Sequence, residues 1–240
     1  MLELKNVSFQ VVDENNVNKE IIKNISLKID DKKFIAITGP NGGGKSTLAK
    51  LIVGIYEPTE GQILFDGVDI THMSITDRAK MGISFAFQSP VRFKGIKVKD
   101  LMTLAAGKET TVAQACEFLS EVGLCARDYI DRDVDGSLSG GELKRIEIAQ
   151  LIARDTKLSV LDEPEAGIDL WSFSNLIKVF EKMRAERDRN ILIISHQERI
   201  LDIADEIVVI KDGEIVAYDK KDEILPELLK GTAGCKFYQN

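Results

Sequence analysis

Short apolar, β-branched runs alternate along the chain with longer stretches in which apolar residues recur every three or four positions. The short runs are typical of strands buried on both faces of a parallel sheet, and the longer stretches are typical of helices packed against it. The clearest strand candidates are residues 34–38, 83–87, 158–162 and 191–195. Each is followed by a polar or glycine-containing segment, where ligands bind at the carboxyl edge of such sheets. The pattern predicts an α/β fold with a mostly parallel core sheet.

Other parts of the chain do not show this succession of buried strands and helices. Residues 1–30 and 61–69 alternate apolar and polar positions, and Asp66-Gly67 and Asp212-Gly213 are hairpin-turn signals. We therefore expect antiparallel strands at one side of the molecule. Residues 89–137 show no strand pattern, and their apolar residues fall at helical spacing. We interpret them as a helical insertion in a single domain that spans residues 1–240.

Composition narrows the class of protein. Asp and Glu together number 39 against 32 for Lys and Arg, and the net charge of −7 argues against general nucleic-acid binding. No apolar run approaches the roughly 18 residues that a membrane-spanning helix needs, so we expect no direct insertion into a membrane. The three cysteines, Cys116, Cys125 and Cys235, form no CxxC pair, which is typical of a reducing compartment. We expect a cytoplasmic protein in which Cys116 packs in the core and Cys235 is a free thiol.

The most specific motif follows the first core strand candidate. Residues 39–46 match the pattern G-x-x-x-x-G-K-[ST] and precede a helical run over residues 48–55. The glycines allow backbone N–H groups to converge on phosphate oxygens, and a helix N-terminus adds partial positive charge. In this phosphate loop, Lys45 would reach the β- and γ-phosphates, and the Ser46 hydroxyl would hold Mg²⁺. The alternative, a glycine-rich turn with a solvated lysine, does not explain the strand–helix context. The predicted phosphate contacts are Gly39, Pro40, Asn41, Gly42, Gly43, Gly44, Lys45, Ser46 and Thr47.

An acidic pair ends another strand candidate. Asp162 closes the run over residues 158–162, and Glu163 follows it. An aspartate at the end of a buried strand beside a phosphate loop can orient the shell of a Mg²⁺ ion. The next residue, Glu163, can accept a proton from an attacking water or orient that water. A solvated acidic turn is the alternative, and the neighbouring phosphate loop disfavours it.

A second glycine motif opens a later helix. Ser139 and Glu142 have the spacing of a capping box, which alone explains their presence. Gly140 and Gly141 are unfavourable in the first turn of a helix, so their presence indicates that another molecule approaches the bare backbone there. Ser139, Gly140, Gly141 and Glu142, called the signature turn below, are a candidate second binding surface for a nucleotide triphosphate.

The order of these motifs resembles that of the ATP-binding cassette (ABC) ATPases. The resemblance covers nearly the whole chain and rests on the phosphate loop, Gln88, the signature turn, Asp162-Glu163, Asp169 and His196. It implies ATP hydrolysis with Mg²⁺ and a homodimer in which two cassettes sandwich two ATP molecules. The signature turn of one protomer would then face the phosphate loop of the other, and Asp169 would communicate across the dimer.

The same resemblance implies roles for two further polar residues. Gln88 would link the metal and the attacking water to the helical insertion, and His196 would contact the γ-phosphate and help to hold Glu163 and water in place. Many members of the family stack adenine on an aromatic side chain shortly after the position of Phe9. Val11 and Val12 occupy that region here, so we expect no such stacking.

Within the family, several segments are similar to SufC, the ATPase of iron–sulfur cluster assembly. These segments are residues 85–91, 141–148 and 194–201. The similarity implies a motor that drives a SufB-like or SufD-like scaffold protein through ATP-dependent dimerisation. Pro164 departs from it, because a proline at this position is common in transporter cassettes. The alternative is the nucleotide-binding subunit of an ABC membrane transporter.

Overall fold

Two β-sheets with helices around them make up the part of the chain that a computed structural model describes, residues 1–12, 16–107, 109–186 and 189–230. Cys235 and its predicted free thiol lie outside these residues. The strands are β1 (Leu2–Val12), β2 (Asn18–Ile29), β3 (Phe34–Thr38), β4 (Glu60–Phe65), β5 (Val68–Asp69), β6 (Ile83–Ala86), β7 (Leu158–Asp162), β8 (Asn190–Ile194), β9 (Glu206–Lys211) and β10 (Glu214–Lys220). The helices are α1 (Lys45–Val53), α2 (Ile75–Lys80), α3 (Val98–Ala106), α4 (Val112–Glu121), α5 (Ala126–Tyr129), α6 (Gly140–Arg154), α7 (Leu170–Glu186), α8 (Glu198–Ile203) and α9 (Lys221–Leu229).

The larger sheet has the strand order β10-β9-β3-β8-β7-β6. All neighbours from β9 to β6 pair in parallel, and β10 returns antiparallel to β9. The predicted mostly parallel core sheet is thus confirmed. Strands β3 and β7 have the predicted bounds, β8 begins and ends one residue earlier than predicted, and β6 ends at Ala86 rather than Phe87.

The smaller sheet is antiparallel throughout, in the order β2-β1-β4-β5. Its hairpin turn is at Asp66-Gly67, where both residues have positive φ, as the tight two-residue turn requires. The Asp212-Gly213 turn, by contrast, joins β9 to β10 at the edge of the larger sheet. Both predicted hairpin turns are therefore present, and the second lies beside β2 of the antiparallel sheet, where the Lys23 N–H donates to the Gly213 carbonyl oxygen. The prediction of antiparallel strands at one side is confirmed.

Two apolar cores lie on opposite faces of the parallel sheet. Side chains of a strand alternate between its faces, so Phe34 and Ala36 of β3 enter a core shared with α3, α4, α6 and α7. Ile35 and Ile37 enter a second core, formed with α1 and the antiparallel sheet. Helix α1 is therefore held between the two sheets, and its N-terminus is fixed at the carboxyl end of β3.

The helical insertion leaves the core sheet after β6 and returns at α6. It contains α3, α4 and α5, and Ala115 and Leu119 of α4 enter the core with α6 and α7. Cys116, on the same helix, is half-buried against that core. The assignment of residues 1–240 to one domain stays a prediction. Among the described helices, none combines the length and the apolar character needed to cross a bilayer.

Candidate active site

The phosphate loop connects β3 to α1 at the carboxyl edge of the parallel sheet. Helix α1 begins at Lys45, three residues before the predicted start, so Lys45 and Ser46 lie in its first turn. Gly44 is its N-cap residue with a left-handed φ of 103°. At Gly39 the φ is 134°, and an added Cβ would lie 1.9 Å from the carbonyl oxygen of Ile210. Only glycine fits at Gly39, so the tight approach of the loop to β9 explains this residue.

Lys45 is buried in the loop that precedes it. Its Nζ donates hydrogen bonds of 2.8 Å to the carbonyl oxygens of Gly39 and Pro40. Burial lowers the pKa of the ammonium group, although the carboxylates of Glu163 and Asp162 oppose this effect. The backbone thus holds a cation at the helix N-terminus, an arrangement that binds anions such as phosphate.

A cleft of about 280 Å³ opens over the loop. Its walls bring together most of the predicted phosphate contacts with the two polar residues from other segments: Asn41, Gly42, Gly44, Lys45, Ser46, Thr47, Gln88 and Glu163. Ile21 of β2 also lines the cleft. No motif surrounds Ile21, so the sequence offered no signal for it.

Ser46, which lines the cleft, contacts Asp162 at the end of β7. The Ser46 hydroxyl donates to Asp162 Oδ1 at 2.9 Å. Burial raises the pKa of Asp162, the bond from Ser46 opposes the rise, and Glu163 adds to it. A hydroxyl and a buried carboxylate are the hard oxygen ligands that Mg²⁺ takes alongside phosphate oxygens, so the pair fits this ion. The described residues contain no cluster of three or more His, Cys, Asp or Glu side chains arranged for a metal.

Glu163 lies at the centre of the polar contacts in the cleft. Its backbone adopts a left-handed φ of 44° directly after β7. Gln88 Nε2 donates to Glu163 Oε2 at 2.7 Å, and His196 Nε2 lies 3.8 Å from Glu163 Oε1. Burial and the nearby Lys45 lower the pKa of His196, against a smaller opposite effect of Glu163, so the imidazole is neutral at pH 7. Gln88 and His196 thus flank one carboxylate that is placed to accept a proton.

The signature turn does not line this cleft. It caps α6 with the predicted capping box: the Ser139 N–H donates to Glu142 Oε2 at 2.6 Å, and the Glu142 N–H donates to Ser139 Oγ at 3.3 Å. An added Cβ at Gly140 would meet no atom within 4 Å, whereas one at Gly141 would lie 3.2 Å from the Gly167 carbonyl oxygen. The backbone at Gly140 is therefore open to approach from outside the chain.

Asp169 is also outside the cleft, and it caps α7. Its Oδ1 accepts hydrogen bonds of 3.0 Å from the N–H groups of Trp171 and Ser172. The sequence carried a signal for this contact, because aspartate before an amphipathic stretch is a preferred N-cap.

Sequence reasoning missed a buried polar contact behind the site. The Ser195 hydroxyl donates to Glu165 Oε1 at 2.5 Å, and the Gln197 N–H donates to Ser195 Oγ at 3.0 Å. Burial raises the pKa of Glu165. Glu165 follows Glu163 by two residues and Ser195 precedes His196, so this contact ties the two segments of the site together. Ser195 directly follows β8 and Glu165 lies in the turn after β7, and this position after predicted strands was the available signal.

A phosphate loop that opens a helix, beside a strand-terminal Asp–Glu pair, defines a P-loop nucleoside triphosphatase. Residues 22–166 match the family model described as ABC transporter. An uncharacterized ABC transporter ATP-binding protein of Methanocaldococcus jannaschii is 42% identical over 215 residues, which cover 86% of each chain. A probable ATP-dependent transporter of Antithamnion sp. is 32% identical over 232 residues, which cover 90% of each.

A solved structure shares the fold. The dimeric, post-hydrolysis state of an ATP-binding cassette with ADP and phosphate superposes with a TM-score of 0.83 at 24% identity, over 92% of this chain and 99% of that one. The chain therefore belongs to the ABC transporter family of ATP-binding cassettes. It has the cassette fold, with its parallel core sheet, antiparallel sheet and helical lobe, and it is an ATPase of the ABC type.

Proposed function

We propose that ATP binds in the cleft over the phosphate loop and is hydrolysed there to drive a partner protein. The observation that carries this proposal is the 2.7 Å contact of Gln88 with Glu163 in the same cleft as Lys45 and Ser46. Lys45 and the backbone N–H groups of α1 bind the phosphates. Mg²⁺ held by Ser46 and Asp162, with the side-chain oxygen of Gln88 as a further ligand, would neutralise charge on the phosphate oxygens.

Glu163 is the general base of the proposed reaction. A water oxygen attacks the γ-phosphorus while the bond to the β–γ bridging oxygen breaks, and Glu163 accepts the proton that the water loses. His196 and Gln88 hold the carboxylate and the water in line. A neutral imidazole at His196 can donate one hydrogen bond to the γ-phosphate without a net charge of its own.

We propose further that ATP closes a homodimer. The open backbone at Gly140 and its absence from the lining of the cleft of its own chain support a contact between the signature turn of one protomer and the phosphate loop of its partner. The solved cassette that shares the fold is itself dimeric with ADP and phosphate bound. In the dimer, Asp169 and the cap of α7 that it forms would lie at the interface.

A groove beside Gln88 is the proposed docking site for the partner. It has a volume of about 280 Å³ and lies between β6, the segment after it and the helices α3 and α6. Its exposed apolar side chains are Phe87, Val91, Phe93 and Leu104. Because Gln88 follows Phe87 directly, movement of a partner in this groove would reach the carboxylate of Glu163.

The partner class has two candidates. Relatives named as ABC transporter ATP-binding proteins favour a membrane transporter subunit, with this chain at the cytoplasmic surface of the membrane. The similarity of residues 85–91, 141–148 and 194–201 to SufC segments favours a SufB-like or SufD-like scaffold in the cytoplasm instead.

Fractionation distinguishes these partners. The tagged chain is captured from the membrane and soluble fractions of its own organism, with and without ATP, and a variant with Phe93→Asp in the groove serves as the control. A polytopic membrane protein that is lost with Phe93→Asp supports the transporter function. A SufB-like or SufD-like protein lost in the same way supports cluster assembly, and capture that Phe93→Asp does not alter contradicts the docking groove.

A further inference from the structure

Two buried charged residues of α6 contact the backbone of residues 87 and 88. The Phe87 N–H donates to Glu147 Oε1 at 2.9 Å. Lys144 Nζ donates to the Phe87 carbonyl oxygen and lies 3.4 Å from the carbonyl oxygen of Gln88. The Lys144 side chain is 0% exposed and that of Glu147 is 13% exposed. Helix α6 therefore holds Phe87 by both its backbone donor and its backbone acceptor.

These contacts replace the pairing that a strand would provide. Strand β6 ends at Ala86, so the N–H and carbonyl groups of Phe87 lie beyond the parallel ladder with β7. Each backbone N–H and carbonyl group needs a hydrogen-bond partner, and here the partners come from α6. The path of the chain through Phe87 and Gln88 is thus set by two side chains that lie 57 and 60 residues further along.

Lys144 and Glu147 also form an ion pair with each other. Lys144 Nζ lies 3.2 Å from Glu147 Oε2, and burial raises the pKa of Glu147 against the opposing effect of Lys144. Apolar residues of similar volume often pack in a core at least as favourably as a buried ion pair does. Packing of α6 alone does not explain the pair, whereas its contacts with the backbone of Phe87 and Gln88 do.

We propose that Lys144 and Glu147 are positioning residues for ATP hydrolysis. They fix the backbone at Phe87 and Gln88, so that the Gln88 amide remains within hydrogen-bonding distance of Glu163. This inference rests on the proposed roles of Gln88 and Glu163.

The position of Lys144 and Glu147 on α6 also relates them to the signature turn and to the docking groove. Lys144 and Glu147 lie in the first half of α6, which begins at the signature turn, and Glu147 also lines the docking groove. A rigid helix transmits displacement along its length. Engagement of the signature turn by ATP and occupation of the groove by a partner therefore both act on the backbone that carries Gln88.

The test compares turnover of purified chain variants at a temperature at which each is folded, as its melting curve shows. Glu147→Ala and Lys144→Met are expected to lower kcat for ATP about tenfold, with KM changed by less than about twofold, because misplaced groups lose rate rather than ground-state binding. Glu147→Gln keeps an oxygen that accepts from the Phe87 N–H and is expected to retain most of the rate. Thr103→Ala is the control: Thr103 is a half-buried polar residue of the neighbouring helix α3, and its hydroxyl donates to the Lys99 carbonyl oxygen of the same helix.

A double-mutant cycle separates positioning from a structural role. If the pair acts through Gln88, Glu147→Ala lowers kcat no further in a Gln88→Ala background. The same fold loss in both backgrounds, or full kcat in folded Glu147→Ala, overturns the inference. Lys144→Met takes the place of Glu147→Ala in the cycle if the latter does not fold. Glu163→Gln is measured in parallel: turnover that survives it refutes the proposed function, whereas its loss beside a fully active Glu147→Ala refutes the positioning role alone.

Discussion

Gln88 and Glu163 are 75 residues apart in the sequence, and Gln88 Nε2 donates a hydrogen bond of 2.7 Å to Glu163 Oε2 beside the phosphate loop. Gln88 belongs to the segment that leaves the core sheet for the helical insertion, and Glu163 directly follows β7, the strand that ends at Asp162. This hydrogen bond therefore connects Glu163, which would activate water, with the segment of the cassette that a partner would move. In the proposed mechanism, the coupling of ATP hydrolysis to movement of a partner depends on this contact.

Lys45 provides the first prediction, on nucleotide binding. Lys45→Ala removes the cation that Gly39 and Pro40 hold at the N-terminus of α1, so affinity for ATP falls by about tenfold or more. Equilibrium binding of a fluorescent ATP analogue measures the change. Lys50→Ala is the control, because Lys50 lies in the last turn of the same helix. Unchanged affinity in a folded Lys45→Ala variant would rule out the phosphate loop as the binding site.

The glycines of the phosphate loop predict unequal effects on stability. Gly39→Ala places a Cβ 1.9 Å from the Ile210 carbonyl oxygen, whereas at Gly42 an added Cβ meets nothing within 4 Å. Gly42→Ala therefore costs only the strain of a positive φ, about 1–2 kcal/mol. Gly39→Ala costs more, because β9 or the loop must move. Urea denaturation compares the two variants, and equal free energies of unfolding would contradict the close approach.

A substitution at Gly140 tests the proposed ATP-dependent dimer. Since the backbone there is open in the single chain, Gly140→Arg is expected to leave the melting temperature almost unchanged and to block ATP-dependent dimerisation. Light scattering with ATP in a Glu163→Gln background, where turnover is slow, measures the dimer. Val68→Arg is the control, since Val68 is exposed on β5 of the antiparallel sheet. Dimers that form equally well with Gly140→Arg would show that the signature turn is not at the interface.

Glu165 predicts a pH dependence of stability. Because burial raises its pKa in the folded state, this carboxyl stabilises the fold below its unfolded pKa, and that contribution is lost as the pH rises through the folded value. Glu165→Gln keeps an acceptor for Ser195 and removes the titration. Its melting temperature should exceed that of the wild type at pH 8, by about 2–4 °C per kcal/mol recovered, and the gap should close toward pH 4. A gap that is constant with pH would contradict the burial of a charged carboxylate.

Local patterns predicted the core of the fold well where a strand is buried on both faces. The bounds of β3 and β7 follow from short, fully buried and largely apolar runs, one ending just before the phosphate loop and the other at Asp162. The end of β6 did not follow, because Phe87 leaves the sheet to bond with α6, a contact between distant segments that no local pattern contains. The start of α1 was predicted too late, because the glycines before it disfavour a helix. They do not, however, prevent the first helical turn at Lys45.

Only part of the site was predicted, because local motifs do not contain contacts between distant segments. Motif spacing identified Lys45, Ser46 and Glu163, and the structure brings them to one cleft with Gln88. Glu165 and Ser195 were missed, because two polar residues after different strands become a pair only once the parallel register is known. Among the described residues, the signature turn does not line the cleft over the phosphate loop of its own chain, so its proposed role depends on a second molecule.

The most direct test of the account measures phosphate release from ATP by wild type and Glu163→Gln, with ATP affinity measured for both. Gln differs from Glu by the loss of one proton-accepting oxygen, so binding should be retained within about twofold while kcat falls by about a hundredfold or more. Such a result would place the general base at Glu163. Turnover by Glu163→Gln at the wild-type rate would contradict the proposed mechanism, and with it the role of the Gln88–Glu163 contact.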